Sequence, residues 1–385
     1  MKKHALLVFS AVLLAMATGC NKENASESSF AGIEVNEVGE NNGSFSKLYV
    51  LNEGAYPGAS TLDLLDFKNR KYCTDIFAQA NPEVVQGLGN TANDMIVADG
   101  KLWVALNASN QVAVLHLPDA KLEKVVDVES PRYLLAEGGH VYVTSYAGAV
   151  YGSADAVPGK VYRIDRNSYA TTTVEVGYQP EGLAVLSGKL YVANSGGYNY
   201  VHDNRISVID LSTFKLEKHI EAPLTNLFQM AATKDRIWVS SYGESTWTDA
   251  GDGNWVQTVS APQSIVSMTP AGEFTVWDGV HANRMSLCGN TLVCFGNDAE
   301  MEGGWDNCLY FVNTTGNSFQ KVRFADTPLS AVSYPYAVLM NPSNNDIYVA
   351  DASFTAGSKL YCLDSALKLK WKVDTGVGTG HLLLQ

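Results

Sequence analysis

A short strand of the form aliphatic–aromatic–Val, or a worn version of it, follows a tight turn seven times along this chain. The copies are Leu48-Tyr49-Val50, Leu102-Trp103-Val104, Val141-Tyr142-Val143, Leu190-Tyr191-Val192, Ile237-Trp238-Val239, Leu292-Val293-Cys294 and Ile347-Tyr348-Val349. They recur about every 50 residues, the period of a four-stranded propeller blade. Around each copy the order of segments is the same, most plainly in the third and fourth. A strand over 133–136 or 182–186 enters a turn at Gly138-Gly139 or Ser187-Gly188, the aromatic strand follows, and a polar loop comes next. An alternating strand then ends on Asp165 or Asp210, as its counterparts end on Asp66 and Asp364, before a fourth strand. Asp suits that place because its side chain bonds the backbone two residues on and so makes a turn. Helical periodicity is nowhere sustained, so four short antiparallel strands per repeat are expected.

The two ends of the chain bear on how a ring of such repeats closes. The first repeat begins with its second strand, and the chain finishes with the apolar stretch His381-Leu382-Leu383-Leu384-Gln385, which has no partners left in the last repeat. That stretch can supply the missing innermost strand of the first blade and remove an open sheet edge. The expected fold is all-β: a seven-bladed β-propeller of four-stranded antiparallel blades over 47–385, closed by a C-terminal strand completing the first blade.

Ahead of this domain, Lys2-Lys3 followed by the apolar run 5–15 reads as a secretory signal ending at Ala17-Thr18-Gly19-Cys20. Small residues directly before a cysteine are those of a lipobox, with Ala17 where Leu is usual. Residues 1–19 are therefore expected to be a lipoprotein signal peptide and Cys20 its lipidation site; a plain secretory signal that contains Cys20 is the alternative. Residues 20–46, rich in Glu, Asn, Ser and Gly, read as a flexible linker behind the lipidated cysteine. The net charge of −13, two units more negative once Lys2 and Lys3 are removed, argues against nucleic acid or anionic lipid as partner. Contact with a membrane is expected only through the lipid anchor. Of the other cysteines, Cys294 and Cys308 flank one long loop on neighbouring strands, where a disulfide could form in an oxidising envelope; a set of small buried core thiols is the preferred reading.

In a propeller, the loops joining second to third strand and those entering the innermost strand of the next blade emerge on one face around the channel. Here the first kind is long and uneven, over 52–60, 144–160, 194–204, 240–261 and 295–307, whereas the turns on the opposite face are short. Loops on a rigid scaffold carry function, so that rim is the expected working surface. Tyr56, Tyr146, Tyr151, Tyr198, Tyr200, Trp247, Trp255 and Trp305 lie in the long loops, and Tyr133, Tyr178, Phe228, Tyr334 and Tyr336 in the other set. Alongside them sit Asn93, Asn107, Arg132, Gln179, Asn226, His281 and Arg284. The mixture suits a bulky, partly apolar ligand bearing several amides or hydroxyls. For any single aromatic, loop packing is the competing role.

Catalytic constellations are not supported. His4 lies in the signal and His116, His140 and His219 fall away from the rim; of the remaining His202, His281 and His381, none has Cys, His or carboxylate neighbours at metal-site spacing. The segment Asp249-Ala250-Gly251-Asp252-Gly253-Asn254 has a calcium-loop flavour but lacks the distal bidentate Glu, so it reads as a turn. Neither a nucleophile elbow nor a phosphate loop is present. The chain is expected to be non-enzymatic, with no catalytic residue, no metal and no cofactor.

Four phrases carry a family resemblance: Leu51-Asn52-Glu53-Gly54, Ser145-Tyr146-Ala147-Gly148, Val176-Gly177-Tyr178-Gln179-Pro180-Glu181-Gly182 and Tyr191-Val192-Ala193-Asn194-Ser195-Gly196-Gly197-Tyr198. With them the chain resembles the YncE-like propeller lipoproteins of gut Bacteroidetes, and among these most resembles the BtuG-type cobalamin-capturing surface lipoproteins, from about Lys47 to the C-terminus. Lys22-Glu23 and Glu27 beside Cys20 likewise resemble the charged export signal of such lipoproteins. The resemblance implies capture of cobalamin or a related corrinoid on one face, as cargo and not as cofactor. It further implies delivery to a TonB-dependent transporter of the outer membrane, with the protein lipid-anchored there and exposed at the cell surface. Tyr146, Tyr178 and Tyr198 are the motif positions it carries over as ligand contacts. A scaffold whose rim grips a partner protein or glycan is the alternative, and a metal-dependent lactonase comes third.

Overall fold

Each copy of the aromatic motif is a strand flanked on both sides within an antiparallel sheet. A computed structural model of the protein describes residues 30–38, 44–55, 58–148, 156–198, 202–251, 253–298 and 306–385. Among them are seven sheets of four or five strands, plus a separate two-stranded hairpin. The second sheet shows the pattern: Ala92–Ala98, Lys101–Leu106, Gln111–His116 and Lys121–Asp127 pair in chain order. The second strand is almost wholly buried and the fourth mostly exposed. A strand covered on both faces must be apolar without alternation, which is why Leu102-Trp103-Val104-Ala105-Leu106 reads as one run.

The central residue of each motif, aromatic in every sheet but the sixth, packs on the following sheet. Tyr49 clusters with Met95, Leu102 and Val104 of the second sheet, and Trp103 with Leu134, Val141 and Val143 of the third. Tyr142 meets Leu190 and Val192, Tyr191 meets Ile237 and Val239, Trp238 meets Leu292 and Cys294, and Val293 meets Ile347 and Val349. Tyr348 of the seventh sheet then packs with Leu48 and Val50 of the first. Burying one such ring stabilises the fold by about 1.5–3 kcal/mol.

The C-terminal segment takes the inner place in the first sheet: Thr379–Leu384 pairs with Lys47–Asn52, setting Leu384 opposite Leu48, Leu383 opposite Tyr49 and Leu382 opposite Val50. A polar clasp locks the junction. Thr379 donates to Asn52 Oδ1 (2.6 Å), and Asn52 Nδ2 donates to Asp63 (2.9 Å). Asp63, itself buried, also accepts from the Tyr72 hydroxyl and from the backbone N–H groups of Asp75 and Gly376.

The turns after the third strands are built by the acid at the strand end. Asp66 accepts from Asn69 N, Asp165 from Asn167 N and Ser168 N, Asp210 from Thr213 N, and Asp364 from Ala366 N and Lys368 N.

Two expectations are corrected. The linker expected over 20–46 is structured within its described residues 30–38: Ile33–Glu34 pairs with Lys71–Cys73 as the outermost strand of the first sheet. Phe30, Val35 and Val38 are buried, so a few spaced apolar residues suffice to cover that edge. The loop expected over 240–261 contains a hairpin, Glu244–Asp249 paired with Trp255–Ala261. Gly243 sits at its base at φ +69°, where a Cβ would lie 2.3 Å from the Ala261 carbonyl oxygen. Cys294 and Cys308 are buried free thiols, as the preferred reading has them, because the register sets Cys294 opposite Tyr310 and Cys308 opposite Gly296. Cys20 and the signal lie outside the described residues.

Candidate functional site

Inner strands and the loops entering them bring a ring of polar and aromatic groups to one face. Two adjoining depressions open there, of about 700 and 580 Å³, and both are lined by Arg132, Tyr198, Tyr242, Arg284 and Tyr336. The larger also takes in Asn226, Tyr334, His202, Gln263 and Asn283; the smaller takes in Glu53, Asn93, Asn107, Tyr133 and Phe354.

Arg132 opens the inner strand Pro131–Glu137 of the third sheet and has an acceptor at each of its three side-chain nitrogens. Its Nε and Nη2 donate to the Glu181 carboxylate (3.0 and 3.2 Å) and its Nη1 to Asn93 Oδ1 (2.8 Å). The Tyr146 hydroxyl donates to the same carboxylate, and the Arg132 guanidinium lies 4.9 Å from the Tyr146 ring centre. Burial works against the Arg132 charge, but the Glu181 carboxylate outweighs it and holds the group protonated. Burial also raises the Tyr146 phenol.

Arg284 opens the inner strand Arg284–Cys288 of the sixth sheet and is placed differently. Aromatic rings surround its guanidinium: Tyr336 at 4.3 Å, Phe228 at 4.6 Å and Tyr242 at 5.9 Å from the ring centres. Tyr336 in turn donates its hydroxyl to Glu53 (2.9 Å) and packs edge-on against Phe354. Burial raises the Glu53 carboxyl above its ordinary value, an effect reduced by the Tyr336 hydrogen bond and by the charges of Arg284 and Arg132.

The residues singled out in the sequence thus divide. Arg132, Tyr198, Asn226, Arg284, Tyr334 and Tyr336 line the larger depression, and Tyr133, Asn93 and Asn107 the smaller. Tyr146 and Phe228 lie beneath them, buried, and support Arg132 and Arg284. Gln179 is buried and shapes the loop, accepting from Tyr198 N at its side chain and from Ser195 at its carbonyl. Tyr178 lies off the lining, its ring 5.2 Å from the Arg205 guanidinium, and His281 is buried and off the lining too. Trp247 and Trp255 belong to the hairpin, whose Ser245 and Gln257 reach the larger depression. Trp305, Tyr56, Tyr151 and Tyr200 lie outside the described residues.

Sequence reasoning missed Glu53, Glu181, Tyr242 and Phe354. Both acids stand within the phrases that carry the family resemblance, Asn52-Glu53-Gly54 and Pro180-Glu181-Gly182, and that was the available signal. Among the described residues no group of three His, Cys, Asp or Glu side chains is arranged to hold a metal.

No protein-family model matches the chain, and no curated protein matches it in sequence. Solved structures do match in shape. Hydrazine synthase of Kuenenia stuttgartiensis is 16% identical at a TM-score of 0.54, over 72% of this chain and 84% of that one. Apo AztD from Citrobacter koseri is 13% identical at 0.53, over 88% and 97%. The WD40 β-propeller domain of Doa1 is 14% identical at 0.51, over 79% and 85%. At such identities the likeness concerns the fold alone, and that fold is an all-β propeller.

Proposed function

We propose that this protein is a non-catalytic capture protein that takes cobalamin or a related corrinoid on one face of a closed seven-bladed propeller. The observation that carries the reading is the pair of adjoining depressions walled by tyrosines and set with Asn, Gln and Arg donors. A corrin presents a broad apolar ring edged by amide arms, and such a wall matches it in kind. The blade count and the closure rest on the succession of packed aromatics, which returns from the seventh sheet to the first, and on the Thr379–Leu384 strand. A site assembled on inner strands of several sheets is preorganised and loses little entropy on binding.

In this reading Cys20 carries a lipid, the body stands at the outer surface of the outer membrane, and the corrinoid passes to a TonB-dependent transporter. Equilibrium binding of cyanocobalamin to the full chain tests the capture step. Binding that weakens by several kcal/mol when Tyr198 and Tyr336 are both changed to Ala supports it; absence of binding at micromolar protein contradicts it.

A glycan is the second reading, favoured by the Tyr334 ring, which is half-exposed and stacked on Tyr336 at 5.6 Å. Sugars that bind the full chain where cyanocobalamin does not would establish it.

A further inference from the structure

We infer that Arg284 is an oxyanion receptor at the centre of the face, reserved for a carboxylate or phosphate group of the ligand. The contrast with Arg132 carries the inference. Both guanidinium groups line both depressions, yet Arg132 spends its N–H groups on Glu181 and Asn93. Arg284 is 8% exposed and receives no hydrogen bond or ion pair from the described residues; its contacts are the faces of Phe228, Tyr336 and Tyr242. Ring faces stabilise the cation but accept none of its five N–H donors.

A guanidinium packed among ring faces on the lining of the depressions, with no acceptor from the described residues, presents its N–H donors to an incoming one. The planar fork of a guanidinium matches the two oxygens of a carboxylate or phosphate, and the rings fix its orientation in advance. Glu53, whose Oε1 accepts from the Tyr336 hydroxyl, makes no ion pair or hydrogen bond with Arg284 among the described residues. The inference rests on the capture reading only in that the ligand enters this face. For a corrinoid, the phosphodiester of the nucleotide loop is the group with the required chemistry.

The test uses full-length protein carrying ¹⁵N-labelled arginine. The Arg284 Nε–Hε resonance, identified by its loss in Arg284→Lys or by the ring-current shift of its three aromatic neighbours, is followed while inorganic phosphate or acetate is added. A saturable shift of Arg284 with either anion, with Arg132 unmoved, is expected, and the stronger anion identifies phosphate or carboxylate as the preferred group. A response to both anions no larger than that of Arg132 overturns the inference. Calorimetry keeps this separate from the corrinoid reading. Cyanocobalamin binding that falls roughly thirty-fold or more in Arg284→Gln supports both. Equal affinity in the variant removes the receptor role and leaves capture standing, whereas an anion-induced shift without cyanocobalamin heat does the reverse.

Discussion

Glu181 serves three donors at once, the Nε and Nη2 of Arg132 and the hydroxyl of Tyr146, in a position that is 3% exposed. Removing one charge of a buried pair strands the other, so Glu181→Gln is expected to cost about 3–5 kcal/mol in urea unfolding. Tyr146→Phe, which removes one hydrogen bond to a charged acceptor, costs less, about 1.5–3 kcal/mol. Equal stability of Glu181→Gln and wild type would show that the pair does not organise the floor. Glu53 behaves in the opposite sense. Burial first, offset in part by Tyr336 and the two arginines, raises its carboxyl in the folded state above the unfolded value. Its proton therefore favours the folded form fully below the unfolded pKa, and that contribution is lost as pH rises through the folded pKa. Stability measured across the range from ordinary glutamate titration upward should fall more in wild type than in Glu53→Gln. Parallel curves for the two proteins would contradict the shift. The family phrases mark the positions of the two acids but not their roles, because their partners come from other sheets: Arg132 lies far upstream of Glu181, and Tyr336 far downstream of Glu53.

Among the elements, the aromatic strands were legible because burial on both faces demands an unbroken apolar run, and a run that recurs about every 50 residues is hard to mistake. The hairpin Glu244–Asp249 with Trp255–Ala261 was not. It pairs only with itself, carries Ser, Thr and Gln on its strands, and so shows no apolar alternation against a core. The strand Ile33–Glu34 was hidden in a polar stretch for a similar reason, its two exposed residues held by pairing to Lys71–Cys73. The C-terminal strand was readable from its three leucines, but the clasp beside it was not. Asp63 accepts from Asn52, Tyr72, Asp75 and Gly376 together, joining segments more than 300 positions apart in sequence. Asp63→Ala takes the shared acceptor away from four donors and is expected to cost about 3 kcal/mol or more, read from the unfolding midpoint. A loss below about 1 kcal/mol would mean that the strand pairing of Thr379–Leu384 holds the ends without the clasp.

At the scale of the whole molecule, repetition and irregularity divide the work. Sheets built on one motif supply a rigid scaffold, and the residues entering their inner strands, different in every sheet, supply the chemistry of the face. The sequence reading placed tyrosines and amides on that face; which of them line it, and which lie beneath as support, depends on tertiary packing that no local pattern encodes. Tyr178, a motif position, is drawn to Arg205, whereas Tyr242, outside every motif, joins both depressions. The capture reading makes this face a preformed receptor for a bulky amide-bearing ligand. Calorimetric titration of the full chain with cyanocobalamin tests that claim most directly. The account predicts one saturable binding event at or below micromolar concentration, weakened by Tyr198→Ala with Tyr336→Ala; no heat of binding at micromolar protein would contradict it.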